Sequence, residues 1–219
     1  MRVAFLIDGG FFLKRYRVLY NKDNNAKQTA DDLIKMINNH LEKMKLKFHK
    51  NVYRIFYYDC RPFSKKEHNP LTNKMIDFSK TDVANFKNEF LNELTQKRKI
   101  ALRLGHIKDH NKWQIKFTKV KDLLREQIKI NDLTENDVYF DLIQKGVDMK
   151  IGLDIASLAY KKLVNTIILI SGDSDFISAA KLARREGIDF ILDPMWQHID
   201  DNLFEHIDGL QTVELKQKK

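Results

Sequence analysis

A single cysteine, Cys60, among 219 residues excludes an internal disulfide framework and any cysteine-rich zinc site. That scarcity fits a reducing cytoplasm. No apolar run approaches the roughly 18 residues that a membrane span needs. The first run, Val3–Ile7, stops at Asp8 and is too short for a signal peptide. Neither a G-x4-G-K-S/T loop nor a G-x-G-x-x-G turn occurs, so nucleotide-dependent folds lack support. His106 and His110 have a spacing seen in zinc sites, but no second ligand pair accompanies them and they read as surface histidines. The expectation is a soluble cytoplasmic protein with no membrane partner.

What the chain does have is a core and an uneven charge. Hydrophobic residues make up 43% of it, enough to exclude wholesale disorder, and the length suits one domain spanning 1–219. The net charge is +9. Residues 1–125 carry 28 Lys and Arg against 13 Asp and Glu, whereas residues 126–219 carry 11 against 17. A basic half joined to an acidic half suggests a polyanion held by one and a metal or acidic site built by the other. A lysine-covered solvated surface is the plainer alternative.

Hydrophobic periodicity organises the chain. Val3–Ile7, Val52–Tyr58, Thr166–Ile170 and Ile188–Leu192 read as buried strands. Helical spacing marks 28–47, opened by Thr29 and Asp31-Asp32, then 82–99, 149–163 capped by Asp148, and 176–186 stopped by Gly187. Residues 61–80 hold two of the three prolines and read as a loop or lid. Ile100–Ile107 and Trp113–Thr118 suggest a hairpin turning at 109–111, followed by a short helix over 119–129. A short helix near 201–206 and an edge strand near 211–215 complete the chain. Strands alternating with helices predict an α/β fold with a mainly parallel sheet, interrupted by a basic insertion or lid at 61–125.

In open parallel sheets, functional groups collect outside the carboxyl ends of the strands. Asp8, Asp59, Asp173 and Asp193 each follow a strand there. Asp148 and Asp154 lie at the start and in the second turn of the next helix. Six positions separate them by about 120° on an ideal helix, so both can face one site only if Asp148 lies off the helix as a cap. Clustered carboxylates repel and raise one another's pKa unless a cation neutralises them. An all-carboxylate set matches Mg²⁺ or Mn²⁺, ions that assist phosphodiester hydrolysis. Plainer roles compete: Asp148, Asp173 and Asp175 as helix caps, and Asp8, Asp59 and Asp193 as turn residues. Asp154 fits a plain role least, because an unpaired carboxylate among small and apolar helix residues is costly.

IDGG at 7–10, KGVDMKIGLDIASLA at 145–159 and SGDSDF at 171–176 resemble the NYN domain, in its LabA-like branch of the PIN-like nuclease superfamily. The resemblance implies a three-layer α/β/α fold and a Mg²⁺- or Mn²⁺-dependent ribonuclease site. By position, Asp8, Asp154 and Asp173 match the family's catalytic, metal-binding aspartates, and Asp148 and Asp175 match further acidic positions. One departure stands out: many relatives carry Asn shortly after the first Asp, where this chain has Phe11-Phe12. A haloacid-dehalogenase-type phosphatase also begins with a strand ending in Asp, but needs a second Asp where Gly10 stands.

Lys97, Arg98, Lys99, Arg103, Lys112 and Lys116 interleave with Trp113 and Phe117, a pattern suited to single-stranded RNA. The lysines read as binding residues and the two aromatics as core. Two functions follow: a metal-dependent endoribonuclease, or a regulatory RNA-binding protein of the same fold. A homodimer is permitted but not required.

Overall fold

The computed structural model describes residues 1–20 and 25–215, apart from the side chains of 110 and 111. Seven strands form one sheet: β1 (Val3–Asp8), β2 (Val52–Cys60), β5 (Ile100–Ile115), β6 (Val138–Lys145), β7 (Thr166–Ile170), β8 (Asp189–Asp193) and β9 (Gly209–Leu210), in the order β6-β5-β2-β1-β7-β8-β9. All neighbours are parallel except β5 and β6. A separate hairpin pairs β3 (Lys66–His68) with β4 (Met75–Asp77).

Alternation along β1 explains the layers. Val3, Phe5 and Ile7 pack on one face with residues of α1 (Gly9–Leu19), α2 (Ala26–Lys43) and α4 (Asp82–Thr95). A one-turn helix, α3 (Phe48–Asn51), leads into β2. Ala4 and Leu6 pack on the other face with α6 (Val147–Tyr160), α7 (Ile177–Arg185) and α8 (Asp201–Glu205). The α/β/α three-layer architecture with a mainly parallel sheet is therefore observed. Strand order reverses between β1 and β7, which places a crevice outside their carboxyl ends. No helix among the described residues is long and apolar enough to cross a membrane.

Several local expectations are corrected. Helix α1 begins directly after Asp8 instead of following a turn, and Asn25, not Thr29, caps α2. Asp59 lies within β2 and is fully buried, so it is not a turn residue. The expected hairpin within 100–118 is one continuous strand; its partner is β6, and the register shifts between Asp109 and Trp113. The short helix starts earlier, as α5 (Phe117–Leu124), and the tail strand is β9. Gly146 at φ +79° precedes α6, so Asp148 sits in the first turn and caps nothing.

Part of the stretch 61–125 continues the α/β alternation. Phe90, Leu91 and Leu94 of α4 belong to the core, and Ile100–Gly105 pairs in parallel with β2. Beyond residue 105, β5 pairs antiparallel with β6. There Trp113 and Phe63 pack on Phe140 at ring-centroid distances of 5.6 and 5.4 Å. Trp113 is thus a packed residue as expected, but Phe117 is 71% exposed beneath the Lys121 ammonium.

Candidate active site

Asp8 ends β1 and caps α1, its Oδ1 accepting the Phe11 backbone N–H at 3.1 Å. The helix starts against β2: a Cβ on Gly9 would lie 2.6 Å from the Tyr57 ring and the Tyr58 carbonyl, so only glycine fits. Burial, and then the charges of Asp148 and Asp59, push the Asp8 carboxyl up to about 6 against the hydrogen bonds from the chain. Asp148 is also raised, by burial and then by Asp173 and Asp175. Asp173 follows β7 and caps the turn Ser174–Phe176 by accepting the Asp175 N–H at 2.9 Å. Asp175 is exposed. Among the described residues, none of these four carboxylates makes an ion pair.

Asp154 is held differently. Its Oδ2 accepts the Tyr58 hydroxyl at 2.8 Å and the Arg103 Nε–H at 2.9 Å. Arg103 in turn lies over the Phe56 ring at 5.1 Å. Since Asp148 is on the helix rather than off it, the angular separation holds, and the two carboxylates answer to different neighbours.

Two further strand-end aspartates are buried. Asp193 accepts from the Met195 N–H and pairs with His40 Nε2 at 2.8 Å, an anchor between β8 and α2. Asp59 meets Lys87 Nζ at 2.6 Å and accepts the Cys60 N–H at 2.7 Å, with Gln144 at 3.4 Å. Among the described residues, its Oδ2 and the Tyr57 hydroxyl are buried without a hydrogen-bond partner. Lys87, Gln144 and Tyr57 carried no sequence motif. The signal for Lys87 is its place in the buried stripe Ala84, Leu91, Leu94 of α4, where a lysine needs a counter-charge.

The six basic residues expected to bind nucleic acid are dispersed. Lys97 pairs with Asp31, and Lys99 Nζ donates to the carbonyls of Val52 and His49. Both, with exposed Arg98, precede Ile100 at the amino end of β5, and Ile100 itself lies three residues, about 10 Å along the sheet, short of the level of Asp8. Arg103 is bound to Asp154, while Lys112 and Lys116 are exposed at the far end of β5. His106 is exposed on β5, and the side chain of His110 lies outside the described residues.

Among the described residues, no three His, Cys, Asp or Glu side chains converge closely enough to hold a metal ion. Mg²⁺ usually takes one or two carboxylates and completes its shell with water and phosphate oxygens. Asp8 and Asp148, raised in part by charge that no cation offsets, fit such an ion in donor chemistry.

The crystal structure of a protein of unknown function from Vibrio parahaemolyticus is similar over 98% of this chain and 93% of that one, at 14% identity and a TM-score of 0.45. No curated protein matches the chain. Residues 74–198 match the NYN domain. Asp8 falls outside that range and joins the matched part through the pairing of β1 with β7. With more than half its length matched, this chain belongs to the NYN domain family of the PIN-like nuclease superfamily.

Proposed function

We propose that this protein is a metal-dependent endoribonuclease of the LabA-like branch, folded as one domain and acting on single-stranded RNA in the cytoplasm. The observation that carries the reading is the set of carboxylates without counter-ions at the β1/β7 crevice, where Asp8 is pushed up to about 6. Asp8 and Asp148 would hold Mg²⁺ or Mn²⁺, with Asp173 and Asp175 beside them. When bound, such an ion polarises a phosphoryl oxygen and lowers the pKa of water. The Asp8 N-cap and the Asp173 turn fix their carboxylates against rigid backbone, so that the scissile phosphate would meet an ion held there at a set position. No protein nucleophile is needed, and Cys60 is buried with its thiol raised by burial. Asp154, on another side of α6 and held by Arg103 and Tyr58, stands apart from Asp8 and Asp148.

A second reading, a regulatory RNA-binding protein of this fold, is favoured by that Arg103–Asp154 pair and by Phe11, whose apolar ring cannot orient a water or a phosphate. The deciding experiment is cleavage of labelled single-stranded RNA with Mn²⁺, with Mg²⁺ and with EDTA. Asp8→Asn and Asp173→Asn accompany the wild type to exclude a contaminant. Metal-dependent cleavage lost in both variants, with folding retained, supports the nuclease; cleavage kept in Asp173→Asn removes Asp173 from the site. Salt-sensitive binding without cleavage selects the regulatory reading.

A further inference from the structure

With the expected basic residues dispersed, the crevice needs another way to hold a polyanion. A groove of about 320 Å³ runs between α1 and α4, lined by Gly10, Lys14, Arg17, Val83, Phe86 and Lys87. Three of those residues are cations. Lys14 and Arg17 are exposed and form no ion pair among the described residues. The Arg17 guanidinium sits over the Phe86 ring at 5.2 Å, presenting a flat cationic and aromatic surface.

The groove is continuous with the acidic crevice. Gly10 lines it, and a Cβ there would lie 3.5 Å from Asp8 Oδ1 and 3.8 Å from Gln144 Oε1. Lys87 closes the same end, its ammonium already shared with buried Asp59. A chain carrying phosphates at regular intervals can thus place one at the carboxylates and the next among the lysines.

We infer that this α1/α4 groove is the subsite for the nucleic-acid backbone flanking the cut, with Lys14 and Arg17 gripping a phosphate and the Arg17–Phe86 pair supporting a base. The inference rests on the nuclease reading for its substrate class. A second groove, lined by Arg61, Lys65 and Lys108 among others, is less suited because its lining does not include Gly10, the residue that joins the α1/α4 groove to Asp8. A base stacked on an aromatic or guanidinium plane gains without sequence selectivity, so the grip is general for single strands.

The test is fluorescence anisotropy of a labelled oligouridylate and its deoxy counterpart in EDTA, read across a salt series. Each phosphate contact with a single strand contributes about 0.7 to the slope of log K against log salt. Lys14→Gln/Arg17→Gln is expected to lose about tenfold or more in affinity and about 0.7 in slope for both strands, the share of the one phosphate they grip. Lys14→Arg/Arg17→Lys keeps the slope, and Lys97→Gln/Arg98→Gln changes neither quantity. An unaltered slope in the Gln double variant, or a loss that follows Arg61→Gln/Lys108→Gln instead, overturns the groove. Groove-dependent binding by a wild type that never cleaves supports the groove while failing the nuclease. Cleavage by a wild type whose groove variants bind normally does the reverse. Absence of binding to either strand overturns the groove.

Discussion

The ring of Phe11 lies directly on Gly172: a Cβ at 172 would sit 2.7 Å from Phe11 Cε2 and 3.2 Å from Cζ. The first turn of α1 and the loop after β7 therefore meet through an aromatic edge and a bare backbone. Gly172→Ala forces a shift there, and overpacking of this kind costs about 1–3 kcal/mol. For a chain of this size the thermal midpoint should fall by several degrees. In the Phe11→Ala background, where the ring is gone, Gly172→Ala should cost less than it does in the wild type. An unshifted midpoint in the single variant would show that the two segments do not press on each other.

Asp8 makes stability fall as pH rises. Its folded-state pKa of about 6 exceeds the ordinary 3.8, so between those values the folded protein holds a proton that the unfolded chain has released. The penalty is small near pH 4 and complete above about pH 7. Asn accepts the same cap hydrogen bond without the charge. Urea denaturation should show Asp8→Asn gaining on the wild type by on the order of 2 kcal/mol between pH 4.5 and 7.5. A constant difference across that range would mean that the carboxylate is not held up.

Lys87 and Asp59 are separated in sequence by the β3–β4 hairpin yet form one buried pair at 2.6 Å. Removing one member of such a pair leaves an uncompensated buried charge, which costs about 3–5 kcal/mol. Lys87→Met should be destabilised on that scale. The double variant Lys87→Met/Asp59→Asn should recover most of it, as read in a double-mutant cycle by chemical denaturation. Additive losses would mean that the two side chains stabilise the fold independently.

This pair also shows where sequence reading stops. Strands β1, β7 and β8 are legible because a strand covered on both faces is a short unbroken apolar run. Strand β6 is not, since its residues alternate and it is itself the edge strand of the sheet, beside β5. The expected turn at 109–111 coincides with the register shift inside β5, so polar residues there mark an irregular ladder rather than a reversal. Strand ends locate Asp8 and Asp173 in the chain, but their surroundings come from elsewhere: Asp148 beside one, Phe11 beside the other's loop. Asp154 stands in an apolar stretch at a cost offset by Arg103 on β5, a partner that only the sheet order reveals.

That partner sets the last expectation. Asp148 adds to the charge cost of Asp8, and Asp173 and Asp175 add to that of Asp148, so a divalent cation seated at Asp8 and Asp148 should stabilise the folded protein. Mn²⁺ at pH 7.5 should raise the thermal midpoint of the wild type and leave Asp8→Asn unmoved. Arg103 competes with any cation for Asp154, holding it at 2.9 Å beside the Tyr58 hydroxyl. Arg103→Gln removes the competing charge without moving Asp154 round α6 toward Asp148, so the Mn²⁺-induced shift should stay that of the wild type. An enlarged shift in Arg103→Gln would place Asp154 among the ligands.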